Sequence, residues 1–219
     1  MFSDLTKAYY LSPNFNERGN NEINTLIPHC TDGLMSWKGC SGVFGAGKNC
    51  SCNYLIDKDG IICGVVDENR RSWCSSNRDA DYHGITFELA SEKGSPCKMP
   101  DIVINQFIKL CVDICKRYNK TKVVYFGDNE EQRNYTPKSN EFKISFHKWY
   151  DKNRSCPEKY FISKCPEIVD KINKELSGVK AESTPKKLYC VQLGAFANRE
   201  NAEKLCEELA KKGYSPIIK

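Results

Sequence analysis

The longest amphipathic segment of the chain constrains the fold more than any other pattern in the sequence. Between residues 100 and 119 the apolar side chains recur every three or four positions, at Val103, Phe107, Leu110, Cys111, Ile114 and Tyr118. This spacing predicts an amphipathic helix with a proline near its start, because one face of a helix repeats about every 3.6 residues. A second helix is predicted over residues 166–176, after a polar loop.

Short apolar runs typical of strands surround these helices. They cover residues 23–28, 85–90 and 123–126, and residues 53–66 form two runs on either side of Asp59 and Gly60. An Asp-Gly pair between alternating apolar residues is a strong hairpin signal. Strands that alternate with helices predict an α/β fold in which helices pack on a central mixed sheet.

The length of 219 residues leaves room for one domain of ordinary size and a small appendage. We expect the main domain over residues 1–176 and a linker over residues 177–187, which are polar and lack apolar periodicity. Residues 188–219 have the pattern of a strand, a helix capped by Gly213, and a final strand. This C-terminal βαβ half-domain is too small to bury a stable core alone.

The charge and composition of the sequence limit which binding partners and which cellular compartment we expect for the protein. The net charge of +5 favours an anionic partner such as a cell-wall polymer. The sequence has neither the arginine-rich stripe of nucleic-acid binders nor an apolar run of membrane-spanning length. The first residues contain no apolar signal core, so export by a signal peptide is not encoded and synthesis in the cytoplasm is expected.

Thirteen cysteines are the unusual part of the composition. Their number is odd and they form no paired Cys-x-x-Cys modules, which argues against both a disulfide framework and a zinc ribbon. We expect most of them to be reduced thiols, as in a reducing cytosol. Cys111 and Cys115 fall on the apolar face of the predicted helix, whereas pairing of Cys50 or Cys52 stays open.

Three side chains predict a catalytic metal. His147 and Cys156 bracket a short polar segment, and His29 follows a strand-like run. Two imidazoles and one thiolate leave the fourth position of a zinc ion open, which is typical of hydrolytic rather than structural zinc. Taken alone, a histidine at a strand end is more often structural, and His83, which has no partner pattern, is expected to be structural.

Two further residues fit roles in catalysis. Glu88 stands among apolar residues of a predicted strand, where a carboxylate is costly unless it is paired or takes part in chemistry. It fits a general base, but alternation with its neighbours equally allows a strand residue that faces solvent. Arg154 lies two residues before Cys156, where a fixed cation would stabilise an oxyanion, although loop arginines are usually only solvated.

Six segments occur in an order typical of one family. They are Ser12-Pro-Asn, Ile27-Pro-His29-Cys30, the run from Asn53 to Gly60, Arg71-Ser-Trp-Cys-Ser-Ser-Asn-Arg-Asp79, Ile85-Thr-Phe-Glu-Leu-Ala90, and His147-Lys-Trp with Ser155-Cys156-Pro157. With them the chain resembles the type-2 N-acetylmuramoyl-L-alanine amidases, especially phage endolysins and autolysins, over residues 8–176.

The resemblance implies a mixed sheet flanked by helices, shared with the peptidoglycan recognition proteins. It implies one zinc ion per catalytic domain, held by His29, His147 and Cys156, with Glu88 as the catalytic glutamate. The implied reaction is hydrolysis of the amide that joins N-acetylmuramic acid to L-alanine of the stem peptide. In that reaction the zinc ion activates water and Glu88 moves protons to the leaving amine.

The chain departs from the family pattern at three places near the predicted ligands. The segment from His147 to Cys156 is one residue longer than expected, and Glu158 stands where glycine is common. Arg154 stands where the family often has lysine, and arginine keeps the charge without the proton-donating ability of a tuned lysine. These departures bear on the catalytic rate and remove no ligand.

The tail resembles the first half of a SPOR domain, a module that binds glycan strands stripped of their stem peptides. With only half of the domain, either truncation or self-association through the tail is implied. The expected partner is therefore peptidoglycan, both stem peptide and glycan strand, with no nucleic acid and no membrane. An endolysin of this kind is made in the cytoplasm and acts on the cell wall after its release.

Two rival functions stay open at this level. The first is a peptidoglycan-binding module without catalysis on the same fold, which the presence of Cys156 and Glu88 disfavours because such relatives tend to lose the thiolate ligand. The second is a cysteine peptidase that uses Cys156 or Cys30 with a histidine. Its nucleophile should sit at a helix start, and Cys156 in a polar loop before a proline fits this poorly.

Overall fold

The computed structural model describes residues 1–178 and 196–212, and the chain divides into two compact units, Met1–Ala181 and Glu182–Lys219. The described part of the second unit is one helix, Arg199–Lys211, as the sequence predicts. The two predicted strands of the tail, the cap at Gly213 and most of the linker lie outside the described residues. Among the described helices, none has the combination of length and apolar character that crossing a bilayer requires.

Nine strands and five helices lie within residues 1–178. The strands are β1 (Ala8–Tyr9), β2 (Asn16–Glu17), β3 (Thr25–Cys30), β4 (Tyr54–Ile56), β5 (Ile62–Gly64), β6 (Arg70–Arg71), β7 (Gly84–Leu89), β8 (Lys122–Val124) and β9 (Glu141–Ile144). The helices are α1 (Cys40–Phe44), α2 (Arg78–His83), α3 (Asp101–Arg117), α4 (Glu130–Asn134) and α5 (Glu158–Leu176), and 3-10 turns cover Trp37–Gly39 and His147–Trp149. The helix of the second unit is α6.

Seven of the strands form one mixed sheet in the order β1-β5-β4-β7-β3-β9-β8. All neighbours pair in parallel except β4 and β5, which form the predicted antiparallel hairpin around Gly60. Strands β2 and β6 form a separate antiparallel pair. The sheet with its flanking helices confirms the predicted fold class.

Alternation along the central strands sends their side chains to two different surroundings. Leu26 of β3 and Phe87 of β7 pack with α3 and α5 in the main hydrophobic core. His29 and Glu88 lie directly opposite each other in the β3–β7 register, and both are out of phase with those core residues. They therefore share the other face of the sheet, away from the two long helices.

Helix α3 confirms the amphipathic helix predicted from the sequence, with the predicted apolar positions between Val103 and Ile114 buried, and with Cys115 buried as well. Phe107 is central to this packing: its ring lies 5.1 Å from Phe87 and 5.6 Å from Phe161 of α5, both edge to face. Edge-to-face pairs of this kind add about 0.5–1.5 kcal/mol each beyond the burial of area. The aromatic contacts thus join sheet, α3 and α5 into one core.

Helix α5 is longer than the sequence predicted. It begins at Glu158 rather than at residue 166, and Pro166 lies inside it. A proline in a helix interior removes one backbone hydrogen bond, which is why the sequence pattern favoured a start at that position. Burial of Phe161 and Cys165, from the turns before the proline, keeps these turns helical against the core.

A buried carboxylate links the loop after β5 to α3. The Glu68 side chain is fully buried and accepts two hydrogen bonds from the Arg117 guanidinium, at 2.8 and 2.7 Å. Tyr118 donates a third at 3.0 Å, and the Tyr54 hydroxyl donates another. A buried charge is tolerated only when it is paired and hydrogen-bonded, so this network fixes the position of the loop on the helix.

Candidate metal centre

The three predicted metal ligands lie together in the structure. His29 is 1% exposed, His147 is 8% exposed, and Cys156 is partly buried. One ligand atom from each lies within 4.8 Å of the others. The sequence placed His29 just after a strand, whereas it lies inside β3, and this rigid position in the centre of the sheet sets the location of the site.

Two adjacent strands and one returning loop bring these ligands together. Strand β9 pairs with β3 in parallel and leads directly to the 3-10 turn that carries His147. The loop then returns, and the Lys148 backbone N–H donates to the Cys156 carbonyl at 3.1 Å. The Cys30 backbone N–H donates to the Cys156 sulfur at 3.2 Å, a contact suited to a thiolate acceptor.

Ser76 orients one of the imidazoles. Its hydroxyl lies 2.8 Å from Nε2 of His147, a partly buried contact between residues 71 positions apart in sequence. Ser76 itself has a φ of 57°, in the left-handed region, and precedes Asn77, whose side chain caps α2. A hydrogen bond to the second ring nitrogen fixes the tautomer and orientation of a metal-binding histidine. Apart from the Ser-Ser-Asn run within a family motif, no sequence pattern indicates this contact.

Both imidazoles are in an environment that favours the neutral form. Burial lowers the pKa of His29 well below its ordinary value, and the neighbouring His147 lowers it further. Burial also lowers the pKa of His147, with a smaller contribution from the charge of Arg154. Neutral imidazole is the form that binds metals. Nε2 of His29 is buried and finds no hydrogen-bond partner among the described residues, as expected for a donor set that fits a metal ion.

Glu88 lies beside these ligands rather than towards bulk solvent. It faces His29 across the β3–β7 pair and lines the same pocket. Burial, with a smaller contribution from the nearby Cys30, raises the pKa of Glu88 to about 8. A carboxyl group whose pKa lies near neutrality can both accept and donate a proton, which is the property that a general acid–base group needs.

Arg154 and His83 are placed very differently from the ligands. Arg154 lines the pocket, but its side chain is 60% exposed and only a distant contact of 3.7 Å to Asp151 holds it. The structure therefore brings Arg154 to the site without fixing it. His83 lies outside both groups of metal-binding side chains among the described residues, and its Nδ1 lies 2.7 Å from the Glu22 carbonyl.

The site opens into a pocket of about 590 Å³. Its lining residues are His29, Cys30, Asn49, Cys50, Arg71, Trp73, Cys74, Ser76, Asn77, Arg78, Asp81, Glu88, His147, Arg154 and Cys156. The candidate metal ligands, two carboxyl groups and three arginines therefore face one polar cavity. Such a cavity has the size of a small-molecule or peptide site and the groups for hydrolysis of a polar substrate.

The match of this chain to a known family decides its identity. Residues 19–159 match the family described as N-acetylmuramoyl-L-alanine amidase. The chain belongs to this amidase family. Residues 185–219 match the SPOR domain, and most of them lie outside the described residues. A comparison with curated proteins gives no match.

Solved structures share the fold of this amidase domain. AmpD, solved as a selenomethionine derivative, is 14% identical with a TM-score of 0.55, and the alignment covers 77% of this chain and 99% of AmpD. The amidase LysC from Clostridium intestinale URNW is 19% identical with a TM-score of 0.51, covering 77% and 95%. The Staphylococcus aureus hydrolase AmiA, solved with its ligand, is 13% identical with a TM-score of 0.55, covering 80% and 84%. At these identities the likeness shows the fold.

The cysteines of the amidase domain are unpaired. All twelve cysteines within the described residues are free thiols, including Cys50 and Cys52, whose pairing the sequence left open. Cys156 lies in a turn before Pro157, the residue that precedes α5, so it stands closer to a helix start than the sequence predicted. The environment of Cys156 argues against a nucleophile, because a hydrogen bond with the Cys30 thiol and burial raise its pKa well above the ordinary value.

Proposed function

We propose that this amidase is a zinc-dependent hydrolase that cleaves the bond between N-acetylmuramic acid and L-alanine of peptidoglycan, and that it acts as a lytic enzyme on the cell wall. The convergence of His29, His147 and Cys156 beside Glu88 carries this proposal. Two imidazoles and one thiolate suit zinc and leave a fourth position for the reaction. When bound, zinc supplies Lewis acidity that polarises the substrate carbonyl and makes water acidic.

Side chains of the protein itself transfer the proton and stabilise the charge that develops during the reaction. Glu88 takes the proton of the attacking water at a carboxylate oxygen as the water oxygen bonds to the carbonyl carbon. The same proton then passes from Glu88 to the amine nitrogen as the carbon–nitrogen bond breaks. The products are the lactyl carboxylate of the sugar and a free amine on L-alanine. Arg154, at the rim of the pocket, is the cation available to the oxyanion that develops.

The partner is peptidoglycan, as the amidase and SPOR domains indicate. Three arginines around the pocket and a net charge of +5 favour an anionic polymer. We propose that the C-terminal segment keeps the enzyme on glycan strands from which the amidase has removed the stem peptides.

Two measurements on the purified full chain test the proposal: the zinc content, and the release of stem peptide from cell walls with and without a chelator. The expected result is about one zinc ion per chain and release that the chelator abolishes. His147→Ala should lose both zinc and activity, whereas the matched variant His83→Ala should keep both, because His83 lies away from the site.

The same assay separates the rival functions. Binding to walls without release of L-alanine amines, even with added zinc, would assign the chain to the non-catalytic binding modules. Activity that survives chelation but is lost on alkylation of thiols would assign it to the cysteine peptidases and overturn the zinc proposal.

A further inference from the structure

A second group of metal-binding side chains lies in the same pocket. His29, Cys74 and Glu88 each offer one ligand atom, and these atoms lie within 4.8 Å of one another. The group shares His29 with the first set but uses neither His147 nor Cys156. Cys74 belongs to none of the roles derived above.

The backbone holds Cys74 firmly towards this position. Its N–H donates to a carboxylate oxygen of the buried Asp81 at 3.1 Å, and the following Ser75 N–H donates to the same carboxylate. The Cys74 sulfur lies 3.9 Å from a Glu88 oxygen. Glu88 in turn faces His29 across paired strands. The paired strands β3 and β7 hold His29 and Glu88, and the turn that is hydrogen-bonded to Asp81 holds Cys74. The three side chains are thus fixed around one point.

Two polar atoms of this group lack partners. Nε2 of His29 and one carboxylate oxygen of Glu88 are buried without a hydrogen-bond partner among the described residues. His29 is 1% exposed. A buried polar group without a partner is costly, and the two orphaned atoms both belong to the group that Cys74 completes. A bound cation would satisfy them.

We propose that His29, Cys74 and Glu88 form an alternative position for a soft or borderline divalent cation such as zinc, cadmium or cobalt. One nitrogen, one sulfur and one oxygen donor suit these ions. Because both positions use His29, an ion occupies one or the other. An ion at the alternative position takes Glu88 out of proton transfer, so that this state is inactive. The inference rests on the proposed function through His29 and Glu88, and its test needs no amidase activity.

The sharpest test removes the Cys156 thiolate from the first position, the one formed by His29, His147 and Cys156. Cys156→Ser in the full chain is loaded with cobalt, whose thiolate complexes give a sulfur-to-metal charge-transfer band in the near ultraviolet. The band is expected to persist, because Cys74 supplies the sulfur. It should disappear in Cys74→Ser combined with Cys156→Ser, with a cobalt affinity at least about tenfold weaker.

Two matched controls remove other pocket thiols in the same background. Cys50→Ser and Cys30→Ser, each combined with Cys156→Ser, should both keep the band, because neither cysteine belongs to a candidate metal-binding group among the residues that the structure describes. Cobalt binding to Cys156→Ser without a thiolate band, or no cobalt binding at all, would overturn the proposal. A band that survives loss of Cys74 but disappears with Cys30 would overturn it as well.

A second measurement covers the case in which Cys156→Ser fails to fold. In His147→Ala, which breaks the first position by another route, bound cadmium should protect Cys74 from alkylation while Cys50 stays reactive, as read by mass spectrometry. Equal labelling of Cys74 with and without cadmium would count against the alternative position. Failure of the amidase assay alone, with cobalt bands as expected, would overturn the proposed function and leave this inference standing.

Discussion

The hydrogen bond between Ser76 and His147 gives a prediction that the sequence pattern could not supply. Ser76→Ala removes a hydroxyl that lies 2.8 Å from Nε2 of an imidazole that is 8% exposed. Serine and alanine are equally strained at a backbone φ of 57°. The substitution therefore measures the effect of the hydrogen bond alone. Without it, the His147 ring loses the contact that sets its tautomer and orientation.

Two independent estimates of the binding free energy lost in Ser76→Ala agree. Removal of a hydrogen bond that orients a metal-binding histidine typically weakens metal binding by about 10- to 100-fold, which corresponds to roughly 1.4–2.7 kcal/mol. A buried polar atom left without its partner costs about 1–3 kcal/mol. We therefore expect Ser76→Ala to bind zinc about 10- to 100-fold more weakly than the wild-type chain.

The measurement is the zinc dissociation constant, obtained by competition with a chromophoric chelator. Ser163→Ala is the matched control, because its hydroxyl makes an exposed bond of 2.8 Å to the Tyr160 carbonyl on α5, and it should bind zinc as the wild type does. Ser76→Gly should lose as much zinc affinity as Ser76→Ala while relieving the left-handed backbone, with a stability gain of up to about 1 kcal/mol. Zinc affinity unchanged in Ser76→Ala would refute the orienting role.

Three other outcomes concern stability, catalysis and pH. Arg117→Met should lower the free energy of unfolding, measured by urea denaturation, by about 3–5 kcal/mol, because it leaves the buried Glu68 carboxylate without the cation that pairs with it. The control Lys171→Met breaks an exposed ion pair and should lower the free energy of unfolding by less than about 1 kcal/mol. Glu88→Gln should keep its zinc by metal analysis but lose about 10²- to 10⁴-fold in kcat for stem-peptide release; full activity would remove Glu88 from the mechanism. In the metal-free protein the raised pKa of Glu88 means that the folded chain keeps a proton that the unfolded chain releases. Stability should therefore fall as pH rises from about 4.5 to about 8, and Glu88→Gln should flatten this slope in urea titrations at several pH values.

The sequence predicted most of the architecture because the signals involved are local. Apolar spacing placed α3, and the Asp-Gly pair placed the β4–β5 hairpin. Strand β9 was missed, because Glu141–Ile144 is short and mixes charged with apolar residues. The start of α5 was missed because Pro166 outweighed the apolar positions before it, which the packed core then stabilised as helix.

By itself, the sequence predicted the chemistry that we propose for this protein: residue type and motif pointed to His29, His147, Cys156 and Glu88 as candidate metal ligands and proton carrier. Only the tertiary structure decided where these groups meet, because the β3–β7 register sets Glu88 opposite His29 and the β9 turn brings His147 to both. The tertiary structure also decided which other side chains lie beside these groups. The roles proposed for Ser76 and Cys74 rest on contacts between distant parts of the chain, and no spacing along a sequence records such contacts.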